Sequence, residues 1–515
     1  MRKTIVSYLL VLVMVLSLAV PAVAENAPVE LSAVVSLHAS TLDLETQPIY
    51  KELEEKANVH INWEYYRADW DSKKQLILAS GDLPDIFFGS ATLTGADIEM
   101  SLDSLIPLDD LIAEYAPNIQ RMLEAYPGAA DLCRFSDGKM YALPHVSPDR
   151  PVHFGSMYIN QAWLDKLGLE MPTTIDELNE VARAFVTQDP NGNGEADEIG
   201  IAFADVVGAN FGSRVWLGAF GIHDSLDSWL ALDDDKNVVY NPAQPGYKDY
   251  VAWLHYLYEE GLTDREFLTQ DFAQYKAKTR RSEMEISGIQ AGWDISQMNN
   301  PNYTVLMPVV GPNGDQFVSG NTLFNKLGPE GYYAMCITTE CEDPVAAIKW
   351  ADQFYSDEYG IQAYYGAYGI SLLENEDGSI SFTFPEGQTM DNWKWTNGMS
   401  DRFVGWVSDE MEDKLIFDNW TYQNGVGKLQ TDERYKPYIH EEYVYPPIVL
   451  GAEAAEEAAS IYADIESITN TFTAQWIAEG GVEEQWDEYL AELENAGLST
   501  WLKLYQDAYN AKYAK

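Results

Sequence analysis

Two α/β lobes are the architecture that the sequence predicts, and three observations carry the prediction. Strand-like and helix-like patterns alternate in three separate stretches, as in an α/β protein. The chain has 515 residues, too many for one compact lobe and comfortable for two of roughly 250. Beyond Gly451 it turns helical, in runs rich in Ala, Glu and Trp.

The first residues read as a leader. Arg2 and Lys3 are positive, Ile5 to Val20 is an almost unbroken apolar run, and Pro21 precedes Ala22-Val23-Ala24, a small-x-small site. This is the pattern of a signal peptide, residues 1–24, cleaved after Ala24. The apolar run is short for an uncleaved spanning helix. No cysteine lies near the cut, so no lipid-bearing cysteine is expected there. The mature chain of 491 residues is expected to be secreted or extracytoplasmic, and loss of Arg2 and Lys3 takes its net charge from −50 to −52.

Taken in order, Val29 to Leu37 predicts a first strand. Pro48 to Asn58 predicts a helix with Ile49, Leu53 and Ala57 on one face. Val59 to Tyr66 is a second strand, and Asp85 to Phe88, launched by Pro84, is a third. Thr174 and Glu177 form a capping box ahead of the stripe Ile175, Leu178, Val181 and Phe185. Tyr332 to Thr338 reads as a strand, and the helix from Pro344 carries Ala347, Trp350, Ala351 and Phe354. No repeat of fixed period and no low-complexity linker interrupts the chain.

Charge and cysteine narrow the partners. A field of this sign repels nucleic acid and anionic lipid and disfavours polyanionic ligands. Cys133, Cys336 and Cys341 form no C-x-x-C pair, which leaves buried free thiols or a Cys336–Cys341 disulfide.

Several segments resemble the extracellular solute-binding proteins of ABC importers, in their large carbohydrate-type branch. Ser80-Gly81-Asp82-Leu83-Pro84-Asp85-Ile86 is similar to that family's strand entry. Asp137-Gly138-Lys139-Met140-Tyr141-Ala142-Leu143-Pro144 is similar to the segment leading to its first hinge. Tyr158-Ile159-Asn160, Trp163 to Leu169 and Pro172 to Leu178 match its best-known stretch, and Trp486 to Leu490 and Tyr505 to Asn510 fit its tail. The resemblance implies a type II periplasmic-binding-protein fold, two discontinuous α/β lobes with the ligand in the cleft between them. It assigns 25–145 and 303–370 to the N-lobe, and 146–302 and 371–515 to the C-lobe. Crossings are expected near Leu143–His145, Asn300–Tyr303 and Gly369–Leu372, with an ABC permease as partner and a monomeric chain.

The sharpest local motif is Asp189-Pro-Asn191-Gly-Asn193-Gly194-Glu195-Ala-Asp197-Glu198. Oxygen side chains at positions 1, 3, 5 and 9 with glycine at position 6 follow the first part of an EF-hand loop, and the Glu195 carbonyl would fill position 7. Position 12 is Gly200 rather than glutamate. The loop resembles the short calcium loop of this branch, in which the adjacent acids Asp197 and Glu198 close the shell around a structural Ca²⁺. The competing reading is an acidic surface turn.

Aromatic content is the second signal, with 15 Trp, 32 Tyr and 18 Phe. The C–H face of a sugar packs on an aromatic face. In an α/β protein the cleft lies outside the carboxyl ends of strands. Candidates there are Tyr66 and Arg67, Phe88 and Ser90, and His145 at the first crossing, while Trp393, Trp395, Arg402 and Trp406 cluster in the expected return to the C-lobe. Trp293 and Asp294 fall where the family often presents an aromatic residue to its ligand. Each tryptophan competes with a core-packing role. Arg214, beside Trp216, would meet a carboxylate or a hydroxyl, whereas Lys276, Lys278, Arg280 and Arg281 read as a solvated helix face.

No H-E-x-x-H, G-x-S-x-G, P-loop or G-x-G-x-x-G motif is present. The expected function is capture of an oligosaccharide for a permease, without enzymatic activity. The alternatives are an oligopeptide or other small polar solute, or a secreted lyase or glycosidase.

Overall fold

The computed structural model describes residues 27–513 apart from 39–40, 91, 149–150, 207–210, 226–228, 282–283, 293–294, 299, 322–325, 328–332, 384–392, 394–397, 399–401 and 418–428. The chain begins with β1 (Val29–Ser36), α1 (Pro48–Ala57), β2 (Val59–Tyr66), α2 (Trp70–Ser80) and β3 (Ile86–Phe88). The register Val29↔Val59 to Ser36↔Tyr66 makes β1 and β2 parallel. β1 is central and becomes buried on both faces, while edge strand β2 begins with buried and exposed residues in alternation. Pro48 opens α1 with its φ already helical, and Asn58 ends it in the left-handed region at φ 52°. Short helices α3 (Gly95–Glu99), α4 (Asp109–Tyr115), α5 (Pro117–Ala125) and α6 (Pro127–Leu132) complete this part of the first lobe.

After a crossing, the chain builds β4 (Ser156–Asn160), α7 (Gln161–Leu167), α8 (Ile175–Thr187), β5 (Ile199–Ala202), the hairpin β6 (Leu230–Leu232) and β7 (Val238–Tyr240), and α9 (Pro245–Glu259). Then follow α10 (Phe272–Thr279), β8 (Ser287–Gly292) and β9 (Tyr303–Leu306). Their four-stranded sheet has the order β5-β8-β4-β9. Thr174 caps α8 by accepting from the Glu177 amide, but the Glu177 carboxylate turns to the amide and hydroxyl of Thr173. Only half of the expected capping box forms.

The chain then returns to the first lobe with β10 (Met335–Ile337), α11 (Pro344–Gln353), α12 (Asp357–Tyr365), β11 (Leu372–Glu374), β12 (Ile380–Phe382), α13 (Asp409–Glu412) and β13 (Leu415–Phe417). β10 joins the first sheet, whose order is β10-β3-β1-β2. The helices α14 (Ala452–Glu479), α15 (Val482–Ala496) and α16 (Leu498–Tyr513) finish the second lobe. They contribute Trp476, Tyr489, Leu493 and Trp501 to its core.

Two hydrophobic cores define the lobes and correct the expected boundaries. Leu372, Ile380, Phe382, Phe403, Val404, Trp406, Val407 and Met411 pack in the first core, so these residues do not belong to the second lobe. Leu306, Val309 and Val318 pack in the second core. β9 lies there because it pairs antiparallel with β4, Tyr303 opposite Asn160. Asn300–Tyr303 and Gly369–Leu372 are therefore positions within single lobes, and Leu143, bridged to Met335, still belongs to the first.

The outgoing and returning crossings run side by side. Ser147 N donates to Lys326 O at 2.8 Å, Phe154 N to Ser319 O at 2.9 Å, and Asn321 N to Val152 O at 3.0 Å. Asp432, in the helical turn at 429–435, fastens to the same place. It accepts from the amides of Val152 (2.8 Å) and His153 (3.0 Å) and pairs with His153 Nδ1 at 2.7 Å, while His153 Nε2 meets Ser156 Oγ at 2.7 Å. Burial works against the Asp432 charge, yet the hydrogen bonds from His153 and the backbone hold its carboxyl below the usual range.

The three cysteines are free and buried, so the Cys336–Cys341 disulfide is not formed. Burial pushes all three thiols up, Cys341 to about 11. No helix among the described residues is long and apolar enough to cross a membrane.

Candidate functional site

Strand direction decides which ends of the sheets face the crossings. The chain enters the second lobe at Ser156, which pairs with Gly292, the last residue of β8. It re-enters the first lobe just before Met335, which pairs with Phe88, the last residue of β3. Since β1, β2 and β3 are parallel, as are β5 and β8, both lobes turn the carboxyl ends of these strands toward the crossings. A cleft between the lobes is walled by those ends.

On the first lobe the structure brings Tyr66, Arg67, Ser90 and Arg402 to this end. The Arg402 Nε–H donates to Ser36 O, at the end of β1, at 2.7 Å. Gly89 makes this approach possible, since at φ 93° a Cβ there would lie 3.4 Å from Arg402 Cβ and 3.2 Å from Val35 Cγ2. Arg67 Nη2 donates to Thr41 O at 2.8 Å and to Asp43 Oδ1 at 2.7 Å. The Tyr66 ring lies 4.9 Å from that of Trp70, and its hydroxyl donates to Glu64. That bond pushes the Tyr66 phenol up to about 12, so it stays a neutral donor. Trp70 Nε1 donates to Thr92 O at 2.8 Å and Thr92 Oγ1 to Phe88 O at 2.6 Å, which fixes the turn containing buried Ser90.

Other expected site residues lie elsewhere. His145 is buried edge-on to Phe403, with ring centres 6.1 Å apart. Phe88 is buried among Tyr50, Trp63, Trp350 and Phe354. Trp406 belongs to the first core, bridged to Val146 and covered by the Arg121 guanidinium at 4.8 Å. Arg214 forms a buried ion pair with Asp224, Nε to Oδ2 at 2.9 Å and Nη2 to Oδ1 at 2.5 Å, above the Trp229 ring at 4.1 Å. Trp393 donates its Nε1–H to Ser371 Oγ at 2.9 Å. Trp293, Asp294 and Trp395 lie outside the described residues.

On the second lobe, two aromatic residues that the sequence did not single out lie beside Arg280. Phe211 and Phe272 meet edge to face with centres 5.0 Å apart, and Arg280 lies 5.8 and 5.7 Å from them. The 276–281 run is largely solvated, as expected, with Lys276 and Arg281 exposed and Lys278 and Arg280 half-buried.

The acidic loop 189–198 leads from α8 to β5. Asp189, at φ 47°, accepts from Gly192 N at 2.8 Å and Gly194 N at 3.1 Å. Asn191 and Asn193 accept from the amides two residues on, at 2.9 and 2.7 Å, and both side-chain amides donate to Asp197 at 3.1 Å. Gly192 and Gly194 supply the left-handed turns at φ 78° and 77°. Among the described residues no three His, Cys, Asp or Glu side chains converge tightly enough to hold a metal alone. Here the remaining oxygens come from the two asparagines and the backbone. Glu198 is buried, its Oε1 has no hydrogen-bond partner, and burial, Asp197 and Asp189 push its carboxyl up. A buried carboxylate oxygen without a partner, amid hard oxygen donors, fits a calcium ion.

Two α/β lobes joined by adjacent crossings, with the carboxyl ends of their parallel strands turned toward them, form the architecture of a solute-binding protein. The chain belongs to the bacterial extracellular solute-binding protein family, whose profile matches residues 38–361. It is 31% identical over 483 residues to the fructooligosaccharide ABC transporter substrate-binding protein FusA of Streptococcus pneumoniae serotype 4, covering 90% of this chain and 86% of that protein. The structure of S. pneumoniae FusA in complex with kestose superposes with a TM-score of 0.80 at 28% identity, over 94% of this chain and 99% of that one; an EF-hand mutant of FusA in complex with fructo-nystose gives the same values. An extracellular solute-binding protein from Bifidobacterium longum subsp. infantis shares the fold, with a TM-score of 0.85 at 24% identity, over 95% and 99% of the chains. The chain is thus the solute-binding subunit of an ABC transport system.

Proposed function

We propose that this subunit captures a short, neutral oligosaccharide of the fructooligosaccharide kind between its lobes and presents it to a membrane permease. The observation that carries the reading is its 31% identity with FusA across nine-tenths of the chain. Physical chemistry points the same way. A net charge of −50 disfavours polyanionic glycans, while aromatic faces and hydroxyl-compatible groups line the carboxyl ends that face the crossings. Tyr66, Arg67, Ser90 and Arg402 form the first-lobe wall, and Trp293 and Asp294, which follow β8 in the sequence, are the contacts expected from the second lobe. The mature monomer acts outside the cytoplasmic membrane after cleavage behind Ala24.

A calcium ion would be held by Asp189, Asn191, Asn193, Asp197, Glu198 and the Glu195 carbonyl. Its charge would neutralise the converging acids and pin the loop between α8 and β5. It takes no part in chemistry on the ligand.

A thermal-shift panel tests the ligand class. Kestose and longer neutral fructans are expected to raise the melting temperature, and to be recovered uncleaved. A shift only with oligopeptides or galacturonan oligomers, or release of shorter sugars, would overturn the proposal.

A further inference from the structure

We infer that Phe272, braced by Phe211 and Arg280, is a sugar-stacking shelf on the second lobe's wall of the cleft; this rests on the oligosaccharide reading above. Three tethers fix where α10 begins. Gln270 donates its amide to Phe203 O at 2.8 Å, one residue past the end of β5. The Tyr275 hydroxyl donates to Ala291 O at 3.0 Å, one residue before the end of β8. Between them, Asp271 and Gln274 form a capping box, each side chain accepting from the other's amide at 2.8 Å. The first turn of α10 therefore lies across the carboxyl ends of β5 and β8, the ends that face the crossings.

Phe272 is 43% exposed there although its surroundings hold it in place. Phe211 meets it at an interplanar angle of 61°, the Arg280 guanidinium lies near both rings, and Lys276 Nζ is 5.0 Å from its centre. Each cation is within the range at which a ring face attracts it. An aromatic plane fixed before the ligand arrives loses little freedom on binding. The cations lie over the ring and Tyr275 stacks beside it with centres 5.9 Å apart, so the exposed remainder of the ring is the apolar surface offered to a sugar's C–H face. The occupant that suits this surface is a neutral sugar ring lying between the lobes, since the first turn of α10 sits at the strand ends that face the crossings.

Calorimetry with kestose and a longer neutral fructan on wild type, Phe272→Ala and Phe272→Tyr tests the shelf. Phe272→Ala is expected to weaken binding roughly tenfold, the scale of one lost aromatic contact, and Phe272→Tyr to stay within about twofold. The melting temperature should change little in either, since the ring is exposed. If wild type binds and Phe272→Ala binds equally well, the shelf is wrong while the sugar reading stands. A loss shared by Phe272→Tyr, or a collapsed melt in Phe272→Ala that accounts for its loss, also overturns the shelf. If wild type binds neither sugar, the sugar reading fails and takes the shelf with it.

Discussion

Arg214 looked in the sequence like a side chain free to meet a ligand, and in the fold it is a buried half of an ion pair. Burial pushes the Asp224 carboxyl up and the guanidinium beside it opposes that, so the pair holds only while both members are present. Arg214→Ala leaves Asp224 buried alone, which costs about 3–5 kcal/mol. Urea unfolding should show a loss of that size, and an unchanged midpoint would mean that water reaches Asp224. Trp293 lies outside the described residues. It follows Gly292 at the carboxyl end of β8, and the expectation remains that its ring contacts the sugar. Trp293→Ala should weaken binding by about thirtyfold, since truncating a central anchor costs roughly 2 kcal/mol. Intact affinity with a collapsed melting temperature would make it a core residue. Neither role could be read from residue type alone, because a guanidinium or an indole suits a core as well as a cleft; the acidic partner ten residues on decides for Arg214.

At the scale of elements, the loop at 189–198 and the turn carrying Asp432 make separate predictions. If the loop holds calcium, the ion stabilises the folded state by mass action, about 2.7 kcal/mol at a hundredfold excess over its dissociation constant. Chelation should lower the melting temperature, and Asp189→Ala should abolish that response. An unchanged wild-type melt with no metal found by assay would reduce the loop to a turn. For Asp432 the folded carboxyl sits below its ordinary value, so its stabilisation is fully present above the unfolded pKa near 4 and is lost as pH falls through the folded value. Asp432→Asn should therefore melt below wild type at pH 7, and the gap should narrow as pH drops under about 4. A gap independent of pH would point to packing instead. Local elements were largely legible: β1, α1, β2 and β3 fall within a residue or two of the patterns that announce them. Their hydrophobic periods and end signals are local. The placement of Phe272 at the strand ends was not legible, because a lone phenylalanine followed by lysines and arginines reads as a solvated helix until Gln270 and Tyr275 tie it there.

Across the whole molecule, the two-lobed plan was legible from length and alternation, but the places where the chain changes lobe were not. β9 joins the second sheet by long-range pairing, and the sheet β11 to β13 joins the first core by packing, neither of which leaves a mark on the local pattern. Among the described residues, two of the crossings that result are adjacent antiparallel segments fastened by Asp432, and the expectation is that the lobes close on a sugar about them. Small-angle scattering of the mature chain, alone and saturated with a fructan that stabilises it, tests this most directly. The account predicts that the radius of gyration falls when the sugar binds. A bound sugar with unchanged scattering would contradict it.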